Sequence, residues 1–249
     1  MSLHRFFVNK ISEGRAEITG SDYNHAKNVL RLKEGGEVIV FNNEHGEFMA
    51  SVAAIDQKNN IMTVITGDKI KEREGKKSII TACISLIKKE NFEFTLEKLT
   101  ETGVDVIVPV TAKRSVVKIK DEAKKEKRWE TIIYSAVKQS GRMTTPVLQP
   151  ALSGVDGINP CEGGANFFIF EKADGVYLID EAVKLKPGDN ASFIIGPEGG
   201  FEESEADIIT GKGFKPVSIG DTILRAETAS IAAATVLSQA LRRSKWKNL

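Results

Sequence analysis

No stretch of this chain approaches the run of about 18 apolar residues that a membrane-spanning helix requires, so the sequence offers no transmembrane candidate. Its first residues also lack the long apolar core of a secretory leader. Cysteine is scarce. Cys83 and Cys161 are the only two, with no CxxC spacing. That excludes a disulfide framework and suits a reducing compartment. The histidines His4, His25 and His45 lie far apart in sequence without metal-ligand spacing. The expectation is a cytoplasmic protein with no membrane association and no metal.

Charge of one sign is missing as well. Lysine and arginine nearly balance aspartate and glutamate, leaving a net charge of +1. Bulk electrostatics therefore does not announce a nucleic-acid binder. The cations are nonetheless clustered, in "KIKEREGKK" (69–77), "AKRSVVKIK" (112–120) and "LRRSKWK" (241–247). Each cluster reads either as a solvated face or as part of an RNA track, and only a shared face in the fold would select the second.

What is present changes character near residue 70. Before it, "EVIVFNNEHGEFMASVAAI" and "NNIMTVITG" give strand runs broken by turn signals. A short helix fits "SDYNHAKNVL", with Ser21 or Asp22 as its N-cap. These features predict a small β-barrel-like module over residues 1–72. Over 73–249 strands and helices alternate. "SIITACISLI", "VDVIVPV", "ANFFIFE", "ASFIIG" and "PVSIG" read as strands. The helices are "KENFEFTLEKLTETG", with Gly103 as its stop, "RWETIIYSAVKQSG", and an alanine-rich run near 226–243. That order predicts an α/β domain with a mostly parallel sheet covered on both faces. Ligands of such folds sit beyond the C-terminal strand ends.

Three loops fall at such ends: "FEKADG" (170–175), "IGPEGGF" (195–201) and "IGDTILRAETAS" (219–230). In the second, Gly196, Gly199 and Gly200 permit close backbone approach, and Pro197 stiffens the turn. It is neither GxGxxG nor a Walker loop. It has no lysine, and Glu198 stands where a phosphate site would prefer a cation. A neutral or cationic ligand suits it better, and S-adenosylmethionine, with an adenine edge and a sulfonium, meets that description. A strand-to-helix turn in which Glu198 caps the next helix is the plainer alternative. In the third loop, Arg225 stands between apolar Leu224 and Ala226. Glu227 opens the next helix, where the dipole favours it, and Arg225 is either its ion-pair partner or a free donor.

The segments "HRFFV" (4–8), "HAKNVLRLKEGGEV" (25–38), "EKLTETGVDVIVPV" (97–110), "KRS" (113–115), "AVKQSGR" (136–142), "IGPEGGF" and "ILRAETA" (223–229) follow one another in an order that resembles a known family. This is the family of bacterial small-subunit rRNA uridine-N3 methyltransferases of the SPOUT superfamily, and the likeness runs from residue 4 to about 240. Thr102 departs from the family's usual leucine, and "GDTILR" matches more loosely than its flanks. The resemblance implies a PUA-like N-terminal β-barrel, a C-terminal SPOUT α/β domain with a trefoil knot, and a homodimer. It also implies methylation of uridine N3 in the decoding region of 16S rRNA, or of the small ribosomal subunit, with S-adenosylmethionine as cofactor. Another target position in RNA and a noncatalytic RNA-binding protein are the alternatives.

On this reading the cofactor-binding residues are Phe170 and Glu171 of the first loop, and Ile195, Gly196, Pro197, Gly199 and Gly200 of the second. The third loop contributes Ile219, Gly220, Ile223, Leu224, Ala226 and Thr228. N3 of uracil becomes nucleophilic only once its proton is shared or lost. Arg225 is the candidate donor to a uracil oxygen and Glu198 the candidate proton acceptor, unless Glu198 is only a cap. Arg5, Arg31, Lys33, Arg114 and Arg142 are candidate phosphate contacts. Phe6 and Phe7 are placed in the core rather than against bases. If these cations touch phosphates, RNA affinity measured by filter binding falls steeply as salt rises. A flat salt response would assign them to solvated faces.

Overall fold

The computed structural model describes residues 3–42, 44–71, 78–117, 122–173 and 175–242. The chain separates into two compact units, one of Met1–Gly75 with Val137–Thr144, the other of Lys76–Ala136 with Thr145–Leu249. The junction expected at residue 72, and parts of all three basic clusters, lie outside the described residues.

The first unit contains β1 (Arg5–Phe7), β2 (Ile11–Ser12), β3 (Arg15–Ile18), the short helix α1 (Gly20–Asn24), β4 (Glu37–Asn42), β5 (Gly46–Asp56) and β6 (Ile61–Lys71). The strands form one sheet in the order β1-β4-β5-β6-β3-β2, parallel between β1 and β4 and antiparallel elsewhere. Period-two burial shows clearly in β3, where Ala16 and Ile18 point inward while Arg15 and Glu17 face solvent. Register shifts between β5 and β6 bend that pair around a core of Phe6, Ile18, Tyr23, Val38, Val40 and Met62.

The helical insert departs from expectation. It starts one residue early, with Thr19 at the N-cap position, and passes into a π-helical stretch over His25–Val29. Neither Ser21 nor Asp22 caps it. Asp22 is buried and its Oδ1 receives Lys138 Nζ at 2.5 Å. Lys138 also supplies a backbone carbonyl to Arg5 Nη1 at 3.2 Å. These two bonds explain why Val137–Thr144 belong to the first unit.

The second unit follows as β7 (Ile80–Ser85), α2 (Lys89–Thr102), β8 (Val106–Val110), α3 (Glu122–Ser140, whose end joins the first unit) and β9 (Val147–Leu148). It continues as β10 (Gly164–Ile169), α4 (Leu178–Ala182), β11 (Asn190–Ile195), α5 (Glu203–Gly211), β12 (Lys215–Val217) and α6 (Ala226–Arg242). Its sheet is parallel throughout, in the order β12-β10-β11-β7-β8-β9. The central strands β7 and β11 are apolar and buried nearly end to end, as strands covered on both faces must be. Helices α2 and α6 pack on each other, and α6 lies on β7 and β11. Phe168, Ile194, Phe201, Ile209 and Phe214 fill a second core together with Cys83 and Val110.

The stop of α2 is built as the sequence suggests. Gly103 has φ +97°, its N–H reaches the Thr100 carbonyl, and the Val104 N–H reaches the Leu99 carbonyl at 2.9 Å. This pair of bonds is a Schellman motif, which requires a left-handed residue. A Cβ on Gly103 would also overlap the Arg242 guanidinium, which donates to the Gly103 carbonyl at 2.6 Å. Gly103→Ala should therefore lower unfolding free energy by about 1–2 kcal/mol in denaturant titration. Gly211→Ala, in open space and without positive φ, should be neutral or slightly stabilising.

Candidate active site

Four parallel strands, β7, β10, β11 and β12, end at one edge of the sheet, and the segments that follow them enclose a cleft of about 780 Å³. Its floor is the glycine turn after β11. The Gly200 N–H closes on the Pro197 carbonyl at 2.9 Å, and Gly200 holds φ +67°, a conformation suited to glycine. At Gly196 a Cβ would approach the Phe201 ring to 3.1 Å, so a side chain there would require that ring to shift.

The helix after this turn is capped by Glu202 and Glu205 in a reciprocal capping box, not by Glu198. Glu205 is 2% exposed. Its Oε2 accepts the Glu202 N–H at 3.0 Å and its Oε1 accepts the Lys113 N–H at 2.9 Å. Lys113 Nζ reaches Glu202 at 3.1 Å and the Ser204 hydroxyl at 3.0 Å. Arg114 Nη1 donates to the Gly199 carbonyl at 3.1 Å. The "KRS" segment is thus fastened along the glycine turn and the start of α5.

Glu198 stands outside the capping box. Its Oε1 accepts the Lys88 N–H at 3.3 Å, which ties the turn to the start of α2 and brings Lys88 and Asn91 into the cleft wall. After β10, Phe170 stacks on Phe168 at 4.6 Å and its N–H bonds the Val217 carbonyl, while Glu171 is exposed. After β12, Ser218 and Gly220 close a small loop, and Tyr177 donates its hydroxyl to Asp221 at 2.7 Å. Leu224 and Arg225 lead into α6, where Glu227 joins the lining. No ion pair links Arg225 to Glu227, contrary to the simpler of the two expectations, and Arg225 is exposed at the cleft. Glu227 Oε2 is buried with no hydrogen-bond partner among the described residues.

The cleft brings together every expected cofactor-binding position except Thr228, which is exposed and outside the lining. Arg225 and Glu198 line it too. Lys88, Asn91, Ser218, Asp221 and Glu227 were not singled out as site residues. The first two follow a different strand, and the other three read from sequence as turn or helix-start residues. The expected phosphate contacts separate. Arg31, Lys33 and Arg114 are exposed, and Arg142 is half-buried. Arg5 is engaged within its own unit. Its side chain is only 16% exposed, pairs with Glu47 through Nε and Nη2, and lies over the Phe41 ring at 4.4 Å. Phe6 is buried, and Phe7 packs edge-on against Phe41.

Chemically the cleft offers backbone groups of the glycine turn, apolar walls from Ile195, Pro197 and Leu224, and carboxylates at Glu171, Glu198, Asp221 and Glu227. Lys88 and Arg225 are its cations. Cys83 supplies no nucleophile nearby, because burial, with Cys161 adding to it, pushes its thiol up to about 12. Among the described residues no group of histidine, cysteine or carboxylates is arranged to hold a metal, and no helix is long and apolar enough to cross a membrane.

Residues 74–238 match the family model of an RNA methyltransferase domain, and residues 18–65 that of an RNA methyltransferase PUA domain. The chain is 32% identical to the ribosomal RNA small subunit methyltransferase E of Mesomycoplasma hyopneumoniae, over 94% of this chain and 98% of that relative. It is 27% identical to the protein of that name from Bacillus subtilis, over 95% and 96% of the two chains. Among solved structures, a Legionella pneumophila methyltransferase in complex with bound SAM superposes with TM-score 0.85 at 28% identity, covering 96% and 98% of the chains. The ribosomal RNA small subunit methyltransferase E of Neisseria gonorrhoeae, bound to S-adenosyl methionine, gives 0.77 at 26%, with the same coverage.

Because Glu205 serves two backbone donors through two different oxygens, Glu205→Ala should cost about 1–3 kcal/mol of unfolding free energy. Glu205→Gln should not rescue it, since one oxygen becomes an NH₂ facing an N–H. Equal denaturation midpoints for Glu205→Gln and the parent would mean that these bonds do not hold the turn.

Proposed function

This chain belongs to the RNA methyltransferase family, and from that membership we propose that it transfers the methyl group of S-adenosylmethionine to N3 of a uridine in the decoding region of 16S rRNA. The observation that carries the reading is the cleft itself: a glycine turn without a lysine, apolar walls, and carboxylates in place of the cations a triphosphate would demand. Those donors and walls fit an adenosine read by backbone groups and a sulfonium carrying positive charge. The turn Gly196–Gly200, with Phe170, Ile219 and Leu224, would hold that cofactor, which supplies an activated methyl group.

The chain's own residues then have separable tasks. Arg225, exposed at the cleft and free of Glu227, donates to a uracil oxygen and stabilises the negative charge that grows there as N3 loses its proton. Glu198 holds the turn against α2 through the Lys88 N–H, a positioning role. Arg114, fixed on the Gly199 carbonyl, places a cation beside the cofactor turn where a phosphate of the RNA would pass. Arg31 and Lys33 present exposed cations in the PUA-like unit.

The family resemblance also carries a homodimer and a trefoil knot into this proposal. Ile223, 85% exposed beside the cleft, is apolar surface that a second copy would cover. The knot would lie in the segment after β12, whose loop meets those after β10 and β11 at one cleft.

Calorimetry with S-adenosylmethionine and mass spectrometry of nucleosides from treated small subunits test the reading together. The parent should bind the cofactor and yield N3-methyluridine. Arg225→Ala should lower transfer about 10²–10³-fold, with cofactor affinity within about threefold of the parent. A ribose-methylated product would move the target off N3, and absence of cofactor binding would leave an RNA-binding module.

A further inference from the structure

We propose that Glu227 is the carboxylate that receives the N3 proton of the target uracil. This rests on the methyltransferase reading of the cleft and assigns the residue that reading leaves open. Four carboxylates line the cleft, and three of them are accounted for. Glu198 accepts the Lys88 N–H, Asp221 accepts the Tyr177 hydroxyl, and Glu171 is exposed to solvent. Glu227 differs, because its Oε2 is buried and has no donor among the described residues.

A buried acceptor without a donor costs free energy unless a water or a ligand completes it, and this one faces a cleft that a ligand can enter. The first turn of α6 is where a negative charge is favoured, so the fold tolerates an ionised side chain there. Glu227 follows Arg225 by two positions, and both line the same cleft. A uracil imide needs both a donor and an acceptor at adjacent atoms, its carbonyl oxygen beside N3–H. The sulfonium carries charge but no proton to give, and the cofactor's ammonium, hydroxyl and amine donors are separated from the uracil by the cofactor-affinity arm of the test. In the transfer, the N3–methyl bond forms as the methyl–sulfur bond breaks. The electron pair of the broken bond stays on sulfur, leaving a neutral thioether, and the N3 proton passes to Glu227.

The test uses full-length parent, Glu227→Gln and Glu227→Asp, with cofactor affinity by calorimetry and single-turnover transfer to 16S rRNA. The rRNA is transcribed either with uridine or with 5-fluorouridine, whose N3–H is more acidic. Glu227→Gln should bind cofactor within about threefold of the parent and lose about 10²–10⁴-fold in transfer to uridine RNA. That loss should shrink at least tenfold on 5-fluorouridine RNA, where less help with the proton is needed. Glu227→Asp should recover part of the rate. An equal loss on both RNAs, or a rate within threefold of the parent, overturns the proton-acceptor role. Loss of cofactor binding in both variants overturns it too and makes Glu227 a cofactor-holding residue. A parent that binds cofactor but methylates neither RNA brings down the uridine reading and this inference with it.

Discussion

The cleft depends on a single row of paired residues. Val217, Ile169, Ile195, Ile84 and Pro109 lie side by side across β12, β10, β11, β7 and β8. Val217, Ile195 and Ile84 are almost wholly buried, so the row is pinned by apolar burial rather than by its loops. Directly beyond it come Ser218, Phe170 and Gly196, which are cleft residues. A one-residue slip of β11 against β10 would send Ile195 to the opposite face and move the glycine turn out of line. The register of the sheet thus fixes where the chemistry can occur.

On that base, polar bonds of long sequence separation set the shape of the opening. Glu205 reaches Lys113, Arg114 reaches Gly199, and Glu198 reaches Lys88. Each joins the glycine turn to a segment following another strand. Glu205 contributes most, because it is buried and both its oxygens meet backbone donors. The bonds of Glu198 and Arg114 are solvent-exposed and individually weak. They tie the rim of the cleft to the segments that follow β7 and β8.

The distinction between local and long-range partners explains what was legible in the sequence. The parallel strands, α2 with its Gly103 stop, and the three loops at strand ends could be read because period, glycine placement and apolar runs are local signals. The resemblance added the cofactor and the target class. Asp22 was misread as a cap because its partner, Lys138, lies 116 residues away. The partners of Arg5, Glu47 and the Phe41 ring, are likewise distant in sequence and carry no local signal. Glu198 and Glu205 illustrate the same point within one loop: both are glutamates near a helix start, and only the fold shows which one caps it. Glu227 read from sequence only as a helix-start residue or the partner of Arg225, since an acceptor without a donor is a property of the packed state.

The charge balance of the cleft also constrains how RNA must approach it. Glu171, Glu198, Asp221 and Glu227 outnumber Lys88 and Arg225, so a phosphate is disfavoured inside while a neutral base is not. Arg31, Lys33 and Arg114 are exposed and do not line the cleft. A strand bound through its phosphates would therefore lie outside, and its target nucleotide would enter base first, unstacked from its neighbours. Such extrusion costs a few kcal/mol in a duplex and less in a loop already free of pairing. On the proposed reading, this acidic lining selects against stacked or paired uridines before any contact with N3 is made, and the two cations within the cleft remain available for the atoms that change charge.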